Sequence, residues 1–173
     1  MAISFYDISV GTYLQTLGAM NGFLAKGRAH CEANGIDLKE IIEMRLYPDM
    51  NPFRFQLFAV AHLSLGALKG LETGRFSPPP PVPELDYAGM QQLVADAHTE
   101  LGKVPRETVE ALEKNQVLFQ IGDFKMPFTA TNFVLSFSLP NVFFHATTAY
   151  DMLRMKGVPL GKIDFLGQMR IGV

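Results

Sequence analysis

The sequence predicts an all-α fold: an antiparallel four-helix bundle with short extra helices and a small β-hairpin. Three observations predict it. Apolar residues recur at helical spacing along four long stretches, proline and glycine punctuate the gaps, and one short stretch alternates instead. At 173 residues the chain fits one domain, 1–173, and is long enough to bury a full hydrophobic core.

The first helix is predicted over about 4–34 from Val10, Leu14, Leu17, Met20 and Leu24, with Ser4 or Asp7 as cap. Asn34-Gly35 supplies a left-handed stop. Gly11, Gly18 and Gly22 each cost roughly 1 kcal/mol of helix propensity against alanine, so their proximity on a face points to close helix packing. Asp37 caps a short helix to about Leu46, ended by Tyr47-Pro48 because proline disfavours the helical region for the residue before it. A second long helix runs from about Pro52 to Glu72, before Gly74, on a stripe of Phe53, Leu57, Val60, Ala61, Leu65 and Leu68.

The run Ser77-Pro-Pro-Pro-Pro-Val-Pro83 reads as a stiff extended spacer between helices. A third long helix spans about Tyr87–Lys103 and a short one Pro105–Lys114. Val117, Phe119 and Ile121, then Phe124, Met126 and Phe128, alternate across Gly122-Asp123, a hairpin pattern. The fourth long helix begins near Thr131 and ends before Gly157. Pro140 inside it lacks an amide donor and should kink it just before Asn141.

Composition narrows the function classes. Apolar residues make up 48% of the chain and charged residues 18%, which suits a compact protein and argues against disorder. Net charge is −2, without a run of like charges or a Lys/Arg cluster, so neither nucleic acid nor an anionic membrane is an expected partner. No apolar run approaches the ~20 residues of a membrane span, and the start lacks the basic and apolar regions of a secretory signal. A cytoplasmic protein is expected. The lone Cys31 has no partner for an internal disulfide and, beside Glu32, no setting that lowers a thiol pKa. Gly-x-Ser-x-Gly and phosphate-cradling glycine loops are missing from the sequence, as is Glu-x-x-His at either central histidine.

The chemistry is expected in the fourth helix. Ser138, Asn141, His145 and Thr148 lie three, four and three residues apart, so they share a face and can converge. Apolar flanks at Val142, Phe143, Phe144, Ala149, Met152 and Leu153 bury part of that helix, and buried polar groups need partners. His62 lies mid-way along the other strongly apolar helix. Facing helices of a bundle often build metal or cofactor sites, so His62, Asn141 and His145 form a candidate metal set with an open position. Histidines in apolar segments are more often structural, however, and an amide is a weak donor for such ions. Phe58, Phe143 and Phe144 are expected to shape the pocket. His30 and His98 read as solvated surface residues. Arg45 and Asp49 flank a proline-rigid turn, where they form an ion pair or present charge to a pocket mouth.

Arg45-Leu-Tyr-Pro-Asp-Met, Leu139-Pro-Asn-Val-Phe-Phe-His-Ala-Thr-Thr-Ala-Tyr and the tail Gly157-Val-Pro-Leu-Gly-Lys-Ile-Asp-Phe-Leu-Gly167 together resemble the DinB/YfiT-like superfamily. Within it they resemble the branch called domain of unknown function 1993. The resemblance covers essentially the whole chain and implies a four-helix bundle, often a homodimer. Many members carry a divalent metal on three histidines, and characterised relatives include thiol-dependent S-transferases and isomerases. Carried over residue by residue, His145 falls on the second position of the family's His-x-x-x-His pair and Asn141 on the first. His62 matches the second-helix ligand on a looser motif.

Three functions follow. The chain binds a small polar molecule through Asn141, His145 and Thr148, with Ser138, Arg45 and Asp49 near the pocket, and its metal site is degenerate. Alternatively, it is a zinc- or nickel-dependent S-transferase, isomerase or hydrolase using His62, Asn141 and His145, the metal lowering the pKa of its bound nucleophile. An interaction protein that dimerises through helix faces is compatible with either.

Overall fold

The computed structural model describes residues 3–172, so the reading of the chain start at Met1 and Ala2 falls outside the described residues. The protein is mostly helical with a small three-stranded sheet. The stretch expected as one N-terminal helix is two. Helix α1, Phe5–Ile8, is closed by a capping box in which Ser4 and Asp7 satisfy each other's backbone amides. Ser9 then leaves the helical region, its buried hydroxyl donating to the Phe5 carbonyl at 2.5 Å. Helix α2, Val10–Ala33, follows.

Asp37 caps α3, Leu38–Glu43, by accepting from the Lys39 amide at 2.9 Å. This helix stops short of Leu46 because Met44 turns extended and its carbonyl takes the Phe53 amide instead. Residues 53–73 form one rod: α4, Phe53–Ala61, a widened π-helical turn at His62–Gly66, and α5, Ala67–Thr73. Gly74, at φ +73°, ends it in the left-handed conformation. Strand β1, Arg75–Phe76, precedes the proline run, and Asp86 caps α6, Tyr87–Gly102. Helix α7 is Arg106–Ala111, extended by one tight turn, Leu112–Lys114.

The expected hairpin is β2, Gln116–Ile121, against β3, Phe124–Thr129, and β1 adds to it in parallel, Arg75 opposite Leu118. A two-residue strand is too short to show alternation, so sequence periodicity missed it. The last rod, residues 130–155, joins α8, Ala130–Asn132, a second π-helical segment at Phe133–Ser138, and α9, Leu139–Met155. Pro140 is accommodated here by wider turns rather than by a broken helix. With no amide at 140 and a ring crowding the carbonyl one turn back, the preceding turns relax to longer bonding. Helix α10, Lys162–Leu166, closes the chain against α2 through Lys26 and Asp164 at 2.5 Å.

Inter-helix contacts fix the helix directions. Gln56 meets His145 while Leu63 meets Ser138, so α4 and α9 run antiparallel. Tyr13 meets Ser138 while Leu153 packs on Gly27, so α2 and α9 run parallel. Phe53 stacks on Tyr87 at 6.1 Å, each the first residue of its helix, so α4 and α6 also run parallel. An antiparallel bundle is expected, and the α4–α9 pair fits it while α2–α9 and α4–α6 do not. Parallel neighbours need a return crossover, and the proline run provides it. Residues 53–73 rise about 1.5 Å each, whereas extended proline-rich chain covers about 3.1 Å per residue. The expected glycine face divides: a methyl on Gly18 would lie 3.5 Å from His98 Nε2, one on Gly11 would clash with Arg170, and Gly22 opens onto nothing.

Candidate functional site

Where α4 and α9 diverge, beneath the proline strap, lies a cavity of about 150 Å³. His62 reaches it from one rod and Asn141 and His145 from the other, so the three residues expected to act together line one cavity. Phe55, Phe76, Phe119 and Phe137 line it, and Pro78 and Pro79 roof it. Phe119 comes from β2 and Phe76 from β1, so the small sheet's role is to close the cavity's side.

A hydrogen-bond chain sets the state of His145. The Gln56 side-chain NH2 donates to the Asn51 carbonyl at 2.9 Å, which turns its Oε1 toward His145 Nδ1 at 2.7 Å. Both Oε1 and the Asn51 carbonyl only accept, so Nδ1 carries the proton and Nε2 keeps its lone pair. Burial holds the imidazolium down, lowering the His145 pKa from 6.5 to about 4. Asn141 resolves in the same way. Its NH2 donates to the Phe137 carbonyl at 2.7 Å, leaving Oδ1 free to accept. Among the described residues the one sealed polar side-chain atom without a partner is Asn21 Oδ1, so both free acceptors reach accessible space.

His62 behaves differently. Its Nε2 lies 2.8 Å from the Ser77 carbonyl and must donate to it, which puts the lone pair on Nδ1. That nitrogen faces Gly66 of its own rod, 3.2 Å from where a β-carbon there would stand. The ring stacks on Phe76 at 4.7 Å, and burial lowers its pKa against the opposing effect of the Ser77 bond. His62 thus offers the cavity a ring and no free nitrogen.

The rest of the polar stripe does not converge. Ser138 is buried elsewhere, donating to the Leu63 carbonyl at 2.5 Å and paired with Tyr13 Oη at 2.6 Å. Thr148 bonds back to the Phe144 carbonyl at 2.7 Å. Arg45 donates to the Met50 carbonyl and makes no ion pair with Asp49; both are exposed and neither lines the cavity. His30 and His98 are half-buried, and neither lines the cavity. Phe143 and Phe144 are exposed, Phe144 touching only the edge of His145, and Phe58 faces a separate groove. Sequence reasoning missed Gln56, Phe55 and Phe137. Gln56 left a signal, an amide inside the apolar run Phe53–Ala61.

A zinc or nickel ion does not fit these donors. The cavity offers one imidazole nitrogen, His145 Nε2, and one neutral amide oxygen, whereas such ions take three or four protein ligands drawn from imidazole, thiolate and carboxylate groups. Among the described residues no group of three His, Cys, Asp or Glu side chains is placed to hold a metal ion, and no helix is long and apolar enough to cross a membrane.

The model of the family described as "Domain of unknown function (DUF1993)" matches residues 5–166. No curated protein matches the chain. A DinB family member protein from Shewanella denitrificans, whose crystal structure was solved at 1.83 Å, is similar in fold. The TM-score is 0.78 at 24% identity, over 97% of this chain and 94% of that one.

Proposed function

This chain belongs to the DUF1993 family, and we propose that it is a small-ligand-binding protein built on a DinB-like four-helix bundle whose metal site is degenerate. One observation carries the reading: in an aromatic cavity of about 150 Å³, His145 Nε2 and Asn141 Oδ1 are unpaired acceptors held in place by protein bonds behind them. Both anchoring bonds are made before any ligand arrives, so little ordering cost remains on binding. Ligand sites are mostly apolar surfaces with a few oriented polar groups, which describes this cavity, although it is smaller than a drug-sized pocket of about 300–1,000 Å³. A ligand of a few heavy atoms fits it.

The metalloenzyme alternative is tested alongside. Protein purified without a histidine tag is analysed for metal, and its histidine ring resonances are followed by NMR while small polar molecules are added. We expect substoichiometric metal, with saturable shifts at His145 that weaken in Asn141→Ala. Stoichiometric metal that disappears in His145→Ala overturns the reading, as does a ring that no polar molecule shifts.

A further inference from the structure

We propose that the ligand of this cavity is a small alkylammonium ion, a protonated primary or secondary amine of one to three carbons. The inference rests on the reading of the cavity as a ligand site and specifies what enters it.

Three observations select this class. First, the hydrogen-bond polarity is one-sided. Gln56 fixes the proton on His145 Nδ1, and the Phe137 carbonyl fixes the Asn141 NH2, so the atoms left for a ligand, Nε2 and Oδ1, both accept. A ligand must bring donors, and an ammonium group carries two or three. Charge-assisted hydrogen bonds are about twice as strong as neutral ones. Second, among the described residues no Lys or Arg lines the cavity, so no fixed positive charge opposes a cation and none recruits a carboxylate or phosphate. Third, four phenylalanine rings surround a space too small for an occupant to avoid them. Phe119 packs on Phe137 at 4.9 Å and Phe76 on Phe137 at 6.1 Å, so these rings form one continuous aromatic side of the cavity. Aromatic rings within about 6 Å attract cations. A neutral primary amide can donate to both acceptors and an alcohol to one, but neither gains this attraction. The 150 Å³ volume limits the alkyl group to a few carbons.

The groove of about 830 Å³ on the other side of His62 has different chemistry, with Lys69 and Arg75 among its lining residues, so the two sites need not share a ligand.

The test is titration of histidine-labelled full-length protein with methylammonium, methanol, formamide and tetramethylammonium chlorides or solutions at constant ionic strength. His145 ring shifts are the readout and far-UV circular dichroism is the folding control. Methylammonium is expected to saturate at least about tenfold below methanol and formamide, the ratio that one charge-assisted bond plus one cation–π contact supplies. Tetramethylammonium, which lacks N–H donors, is expected to be weaker than methylammonium. Phe55→Leu, which keeps an apolar wall, should weaken methylammonium and leave methanol unchanged. Saturation by methanol or formamide at or below the methylammonium concentration overturns the ammonium inference while leaving the cavity a ligand site. A His145 ring that none of the four shifts overturns both. An equal effect of Phe55→Leu on both ligands in folded protein removes the cation–π argument and, with it, the proposal.

Discussion

His145 and His62 stand on facing rods at one cavity, each with one ring nitrogen bonded to a protein acceptor, yet the bonds end in different places. His145 is tied to Gln56, a buried side chain whose own amide is anchored on the Asn51 carbonyl. His62 is tied to the carbonyl of Ser77, an exposed residue at the start of the proline strap. The α4–α9 wall is therefore held through a buried amide, Gln56, that water does not reach. The strap wall is built from a backbone group that water can satisfy. This asymmetry separates a fixed recognition surface from a separable cover, and each prediction below tests one side of it.

The largest effect is expected at Ser138, which locks the fixed wall. Its hydroxyl serves the Leu63 carbonyl within the first π-helical segment and Tyr13 Oη on α2. Tyr13 is fully buried, and burial pushes its pKa up. Ser138→Ala removes only the hydroxyl and strands both groups. It should cost about 2–4 kcal/mol, read as a lower urea midpoint at unchanged slope. A loss below about 0.5 kcal/mol, within the ordinary surface range, would mean that the α4–α9 wall is not locked there.

Next is the acid limb of stability. His145 ordinarily titrates near 6.5 but near 4 in the fold. Above pH 6.5 both states are neutral and the contribution is complete. Between about 6.5 and 4 the unfolded chain takes up a proton that the native state refuses, so stability falls as pH falls through this window. Because the ring is partly exposed, the loss is expected to be about 1–2 kcal/mol rather than the full value of the shift. Urea midpoints at pH 7 and pH 4.5 should differ by this amount in the native sequence and by clearly less in His145→Phe.

Gln56→Glu sharpens the same point. A carboxylate facing Nδ1 stabilises the imidazolium, so the His145 pKa should rise by at least about one unit in an NMR titration. Gln56→Leu instead frees Nδ1, and the ring should show both tautomers. An unchanged pKa in the first variant would mean that burial alone, and not the Gln56 contact, governs the ring.

Much of this fold was legible because its elements carry strong local signals. Asp37 and Asp86 cap the helices that follow them, Gly74 ends a rod, and Gly122-Asp123 turns the hairpin. Helix direction was not legible, since periodicity shows which face is buried and not which way the chain runs. The parallel placement of α4 and α6 had one trace in the sequence, the length and stiffness of the proline run. At the site, spacing brought Asn141 and His145 to one cavity and failed for Ser138 and Thr148. Spacing does not show which partner a side chain takes: the Ser138 hydroxyl is bound by Leu63 and Tyr13, and Thr148 bonds back to the Phe144 carbonyl. Widened π-helical segments are frequent at functional sites, and here one lies in each of the two rods that bound the cavity.

The smallest effect on stability should come from the other histidine, and it is the one that isolates the cover. His62→Phe keeps an aromatic ring against Phe76 and removes only the donor to Ser77. Because Ser77 is exposed, its carbonyl regains water, and the cost should stay within about 0.5–1.5 kcal/mol. Local opening responds more strongly than global unfolding when the lost bond holds one segment. Amide exchange at Ser77 and at the Val82–Leu85 stretch should therefore accelerate, while amides of α4 and α9 exchange as before. If α4 and α9 lose protection to the same degree as the strap, His62 braces both walls, and the cavity has no separable side.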